Sequence, residues 1–174
     1  MMLSMSDWGE MDLGGMVLQN DLLLVRRMAK RELLEIGGIK LVADILHDIL
    51  LAERFFCADC VVIGKSGVVG YRIKDGQPEM DRSIRVAEDD LTDVFQNFAV
   101  TVAGSIYVGG EASAHGSCGF FYKKTNDVLD WALMSLDSEP FVSLEKIRDG
   151  VAFVSSSGRK WVVRGDNIED VEIM

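Results

Sequence analysis

The chain has 174 residues, of which 48% are hydrophobic and 26% are charged, and its formal net charge is −10. This length and apolar content favour one domain over residues 1–174, with residues 1–19 as a flexible arm. The negative charge excludes nucleic acid as a partner because it repels a phosphate backbone. The apolar stretches are shorter than the ~20 residues that span a membrane, so no membrane association is predicted.

Cysteine content and the N-terminus predict a cytoplasmic protein. The three cysteines are an odd number, which does not fit a disulfide framework. The first fifteen residues carry three acidic side chains and no basic start, so they do not resemble a signal peptide. We therefore expect reduced thiols and a cytoplasmic location.

Two amphipathic helices are predicted first along the chain. Residues 21–36 place Leu22, Val25 and Ala29 on one face, and Gly37-Gly38 can end that helix. Residues 39–55 carry a second apolar stripe at helical spacing. The short Gly-Gly connection predicts an N-terminal helical hairpin.

A β-hairpin is predicted over residues 61–73, where the sequence also contains Gly64-Lys65-Ser66. These three residues match the end of a phosphate-binding loop, but Asp59 stands where that motif needs its first glycine. The residues between them are β-branched and favour a strand, not a loop. The hairpin, with its turn at residues 65–67, is therefore the preferred interpretation.

The remaining chain is predicted to be mostly strands. Residues 88–98 form the exception, because their apolar residues share one helical face and their acidic residues suit the first turn of a helix. Residues 126–136 fit either a helix or a strand. Residues 151–154 and 160–163 are predicted to pair across a Ser-rich turn. The predicted class is α+β, with the N-terminal helical hairpin packed on a mainly antiparallel β-sheet.

The cysteines suggest a metal site. Cys57 and Cys60 form a C-x-x-C motif, and His115 with Cys118 forms an H-x-x-C motif. Three thiolates and one imidazole are a suitable tetrahedral set for Zn²⁺. More than fifty residues separate the two pairs, however, and cysteine is also a common buried apolar residue. Zinc binding and simple burial therefore both remain open.

Acidic clusters suggest a partner-binding surface. Residues 1–85 hold 11 Lys/Arg and 13 Asp/Glu, whereas residues 86–174 hold 7 and 15. Such a C-terminal half would attract a basic protein. The predicted partner-binding residues form two clusters, of which one is expected to matter: Glu88, Asp89 and Asp93, and Asp166, Glu169 and Asp170.

No arrangement of residues in the sequence has the spacing of a known catalytic group, so we do not predict an enzyme. In size, acidity and layout the chain resembles the immunity proteins of bacterial toxin systems. That resemblance implies a protein without a cofactor that neutralises a cognate toxin, itself basic, by direct binding. The alternative is a small regulatory domain that binds zinc or another ligand.

Overall fold

The described part of the chain is built almost entirely from β-strands. The computed structural model describes residues 54–64, 67–84, 86, 91–112 and 118–174. Within these residues it contains one short 3₁₀ helix, Ile168–Asp170, and twelve strands. The strands are β1 (Arg54–Phe56), β2 (Cys60–Ile63), β3 (Gly67–Lys74), β4 (Gln77–Asp81), β5 (Leu91–Val102), β6 (Ser105–Ala112), β7 (Gly119–Thr125), β8 (Val128–Ser135), β9 (Phe141–Ile147), β10 (Gly150–Ser155), β11 (Lys160–Arg164) and β12 (Glu172–Ile173).

The strands form two antiparallel sheets. The larger sheet has eight strands in the order β1-β5-β6-β7-β8-β2-β3-β4, and the smaller has the order β12-β11-β10-β9. Strands β5 to β8 form a meander of sequential neighbours, whereas β2 joins the outer side of β8 with Cys60 opposite Met134. All ladders between described strands are antiparallel, as the sequence predicted for the sheet.

An aromatic core joins the two sheets. The Phe121 ring of β7 stacks on the Phe153 ring of β10 with centroids 3.9 Å apart, and Phe141 of β9 meets Phe121 edge-on at 4.9 Å. An edge-on pair such as Phe121 with Phe141 adds about 0.5–1.5 kcal/mol beyond the burial of its area. The eight-stranded sheet buries apolar side chains on its other face as well, including Phe120 and Met134.

The predicted α+β class is wrong for the described residues. The predicted helix over residues 88–98 is strand β5 from Leu91 onward, and residues 54 and 55 at the end of the second predicted helix belong to β1. A β-bulge between Gln96 and Phe98 explains the misleading helical spacing. The bulge adds one residue to β5, so the residues after it point to the opposite face from the one that simple alternation would give. Val94 therefore packs in the core on the outer face of the larger sheet, whereas Phe98 packs against the core between the two sheets.

Residues 126–136, for which the sequence allowed either a helix or a strand, contain strand β8 (Val128–Ser135). Its residues face apolar surroundings on both sides, because Ala132 and Met134 lie in one core while Trp131 and Leu133 lie in the other. A strand buried on both faces is apolar at nearly every position, and periodicity does not distinguish it from a buried helix. Residues 1–19, 21–36 and 39–53 of the predicted arm and helices lie outside the described residues.

Two predicted hairpins are confirmed. Strands β2 and β3 pair with Val61 opposite Val69, and β10 and β11 pair with Phe153 opposite Trp161. Gly64 directly follows β2 and packs closely against β8, because a Cβ atom there would lie 2.1 Å from the carbonyl oxygen of Leu129. Its glycine identity thus follows from strand packing. The described residues fall in one compact unit, whereas the single-domain prediction for the whole chain stays a prediction.

Candidate protein-binding groove

A buried lysine lies near one end of the two-sheet core. Lys123 of β7 is only 8% exposed, although lysine is almost never buried without a partner. Its Nζ atom lies 2.5 Å from Oδ2 of Asp166 and 3.4 Å from Oδ2 of Asp130. The two carboxylates therefore compensate the charge that burial would otherwise make unfavourable.

A tight turn after β11 brings Asp166 to this lysine. Both Gly165 and Asp166 have positive φ angles, 53° and 63°, in the left-handed region that glycine and aspartate tolerate best. The second carboxylate oxygen of Asp166 accepts a hydrogen bond from Nε1 of Trp131 at 2.9 Å. Asp166 thus connects the turn of the smaller sheet to strands β7 and β8 of the larger sheet.

Hydrogen bonds also fix the second carboxylate. The hydroxyl group of Thr125 donates to Oδ2 of Asp130 at 2.6 Å, and the hydroxyl groups of Thr125 and Ser105 lie 2.8 Å apart. Asp130 is therefore oriented by its own neighbours. Thr125 and Asp130 come from the two strands, β7 and β8, that flank the connecting turn.

The lysine in this cluster is a cation and not a free amine. Burial by itself lowers the pKa of Lys123, but the hydrogen bond and charge of Asp166, together with Tyr107 and Asp130, outweigh burial and raise the pKa. A lysine acts as a nucleophile or a base only in its neutral form. The geometry therefore supports a stable ion pair between the sheets and not amine chemistry.

An open groove of about 380 Å³ runs beside this ion pair. Leu129 and Ile168 are buried within its lining, whereas the side chains of Asp166 and Glu169 are 52% and 37% exposed. The groove thus has an apolar base and an acidic rim. Its lining comprises Ile63, Gly64, Val128, Leu129, Asp130, Trp131, Asp166, Asn167, Ile168 and Glu169.

One of the two predicted acidic clusters borders this groove. Glu169 lies 3.3 Å from Nη2 of Arg82, and Asp170 accepts a hydrogen bond from the Asn167 side chain at 2.6 Å. With Asp166, these residues occupy the segment between β11 and β12. The structure places Asp166 and Glu169 in the lining of the groove and Asp170 outside it, and Asp166 also has the internal role described above.

The other acidic cluster is described only in part. Asp93 lies on β5 with its side chain 70% exposed, and its Oδ1 atom is 3.6 Å from Nε of Arg54. Glu88 and Asp89 lie outside the described residues. Nothing in the described geometry connects this cluster to a cavity.

The proposed zinc ligands are not assembled among the described residues. Cys57, Cys60 and Cys118 are free cysteines, and the last two are buried. Burial, and after it the proximity of Cys57, raises the pKa of Cys118. No group of three or more His, Cys, Asp or Glu side chains that could hold a metal ion occurs in the described part of the chain. His115 lies outside it, so zinc binding stays a prediction.

Sequence reasoning missed the roles of Lys123, Asp130 and Trp131. One signal was present: Lys123 is two residues from Phe121 in a strand, so both side chains point to the same face. A lysine on a core-facing position requires an anion close to its ammonium group. The sequence does not show which carboxylate, because Asp166 is 43 residues away.

No protein-family model, curated protein or solved structure matches this chain. The described residues also contain no helix with the length and apolar character needed to cross a membrane.

Proposed function

We propose that this chain is a small acidic binding protein that neutralises a basic partner protein, in the manner of an immunity protein and its toxin. The observation that carries the proposal is the groove with an apolar base and an acidic rim. The long side chains of arginine and lysine place an aliphatic stem on apolar surface and a charged head in water. The exposed Val128, with the small exposed parts of Leu129 and Ile168, can contact such a stem. The charged head would share the Glu169 carboxylate with Arg82, which lies 3.3 Å from it.

Charge supports the same proposal. The net charge of −10 accelerates encounter with a basic protein and rejects acidic ones. The carboxylate of Asp166 already accepts two hydrogen bonds, but each of its oxygens can accept more than one. A guanidinium or ammonium group at the rim would therefore add to the existing contacts without displacing them.

The test starts from the neighbouring genes: a large secreted protein encoded there is the candidate toxin, and its C-terminal domain is co-expressed with this chain. We expect a stable complex and rescue of growth. Glu169→Lys should slow association about tenfold at low salt and less at high salt, because it reverses a charge at the rim.

Glu145→Lys is the matched control. Glu145 is a similarly exposed acid with a lysine partner at 2.6 Å, but it lies on β9 away from the groove. Equal slowing by both variants would locate the effect in net charge and not in the groove. Absence of both complex and rescue would overturn the proposed function.

A further inference from the structure

Two of the outer edges of the two sheets are protected against pairing with another chain. The β12 edge is only two residues long, and the Gln77 side-chain amide covers it by donating to the Ile173 carbonyl and accepting from the Ile173 amide, both at 2.8 Å. Strand β4 carries Pro78 and charged residues. Prolines, charges and side-chain covers are the usual protections of exposed sheet edges.

The edge of the smaller sheet at β9 is protected by charge. It exposes Glu145 and Lys146, and Arg148 and Asp149 follow directly in the turn. The Asn97 side chain also donates to the carbonyl of Phe141, at 3.1 Å, at the start of this strand. Adding a strand here would require dehydration of several charged groups.

Among the described residues, strand β5 has no proline, charge or side-chain cover over residues 94–102, and its one irregularity is the bulge between Gln96 and Phe98. It has twelve residues, but β1 pairs only with residues 91–93, so residues 94–102 have no partner strand on that side among the described strands. These nine residues contain no charged side chain. They expose Phe95 and Val100, at 51% and 38% of their surfaces. We call residues 94–102 the open edge.

We infer that the open edge pairs with the open edge of a second copy of this chain. Antiparallel pairing of two identical edges is self-complementary about a two-fold axis, so each copy satisfies the backbone groups of the other. The dimer would thereby join two eight-stranded sheets into one continuous sheet. This interaction is independent of the proposed groove function, since the two use different strands.

Charge favours a second copy over a basic partner at this position. A basic protein gains nothing from an uncharged strip and is drawn to the acidic rim of the groove instead. Two copies that each carry a charge of −10 can approach closely only where the contact itself is free of charge. The open edge is such a surface.

The expected dimer is weak. Nine residues at ~3.4 Å each give an edge about 30 Å long, and two packed sheets are about 10 Å apart. The strip of surface along the open edge, about 30 Å by 10 Å, is therefore smaller than the ~800 Å² that each partner buries in a standard interface. We expect dissociation at micromolar concentration, with tighter association at high salt because salt screens the repulsion between the two copies.

Sedimentation velocity over a concentration series tests the inference. The native chain should pass from monomer to dimer, and Val100→Glu and Val100→Lys should each weaken association at least tenfold. If only net charge determined association, Val100→Lys would associate more tightly, because it reduces the negative charge of each copy. The same substitutions at Val128, which is 55% exposed beside the groove, should leave association unchanged. Thermal unfolding of each variant checks that the chain stays folded.

Amide hydrogen exchange identifies the edge itself. Protection of residues 94–102 should increase with protein concentration, and it should not do so in Val100→Glu. A chain that stays monomeric at millimolar concentration overturns the inference. So does protection that is independent of concentration, which would mean that another segment of the same chain occupies the edge. Salt separates the two proposals, since it should strengthen self-association and weaken binding of a basic partner.

Discussion

Replacement of Asp166 by asparagine should destabilise the fold through Lys123. Asparagine has nearly the same shape and tolerates the positive φ angle of 63° at this position. Its side-chain oxygen can still accept the hydrogen bond from Trp131. The substitution therefore removes mainly the negative charge that lies 2.5 Å from the Lys123 ammonium.

The expected loss is about 2 kcal/mol of unfolding free energy, within the ~1.5–3 kcal/mol of hydrogen bonds to charged groups. Removing one partner of a fully buried ion pair costs about 3–5 kcal/mol. Two features reduce that value here: the Asp166 side chain is half exposed, and Asp130 remains 3.4 Å from the ammonium. For a chain of this length, the melting temperature should fall by about 4–8 °C.

Urea unfolding at pH 7 is the assay, with Asp170→Asn as the control. That control removes one negative charge from the same segment, but its nearest described partner is the neutral Asn167, so it should change stability by less than ~0.5 kcal/mol. In a Lys123→Met background, Asp166→Asn should cost little, because no buried cation is left unpaired. The double-mutant cycle isolates the pair.

The pH dependence provides a further check. The pKa of Lys123 is raised in the folded state, so its stabilising contribution is fully present below the unfolded lysine pKa of about 10.4 and is lost as the pH rises through the folded value. The difference between native chain and Asp166→Asn should be constant near neutrality. If Asp166→Asn is no worse than Asp170→Asn, or costs as much without Lys123, the ion pair does not hold this turn.

Three further substitutions have defined outcomes. Burial raises the pKa of Asp59, so the folded state disfavours the ionised carboxylate and the stability of the fold decreases as the pH rises through that pKa. In urea unfolding, Asp59→Asn should therefore increase the free energy of unfolding at pH 7 but not at pH 3. Gln77→Leu removes both hydrogen bonds to Ile173 and should speed amide exchange there, with a stability loss of about 1–2 kcal/mol; unchanged exchange at Ile173 would contradict the capping role. Gly64→Ala should cost more than ~2 kcal/mol in thermal unfolding, since its Cβ would lie 2.1 Å from the Leu129 carbonyl oxygen; a variant of native stability would mean that β2 and β8 are not packed this closely.

The sequence predicted the hairpins well because their signals are local. Residues 61–73 and 151–163 combine short β-branched runs with glycine or serine at the turn, and both features lie within a few residues. Strands β5 and β8 were harder to recognise. In β5 a bulge gives apolar residues a helical spacing, and in β8 burial on both faces removes the alternation of a half-buried strand.

The groove could be predicted only in part, because one of its contacts joins residues that are far apart in the sequence. The acidic residues at 166–170 are visible as a cluster in the sequence, and the structure places two of them, Asp166 and Glu169, at the rim of the groove. Their function in the fold depends on Lys123, which reaches Asp166 only after both sheets have packed. Periodicity and spacing describe neighbours along a chain, so they cannot show a pair created by packing between sheets.

The position of β2 in the larger sheet has a consequence for the order of folding. Strands β5 to β8 pair with sequential neighbours, whereas β2 pairs with β8, and Cys60 reaches Met134 across more than seventy residues. Contacts between distant residues form slowly because a long loop must close first. The β5–β8 meander is therefore expected to form early and to serve as the template on which the β2–β4 segment docks. During synthesis, residues 60–81 leave the ribosome before β8, so the apolar side chains that pack against β8 are expected to stay exposed until β8 is available for pairing.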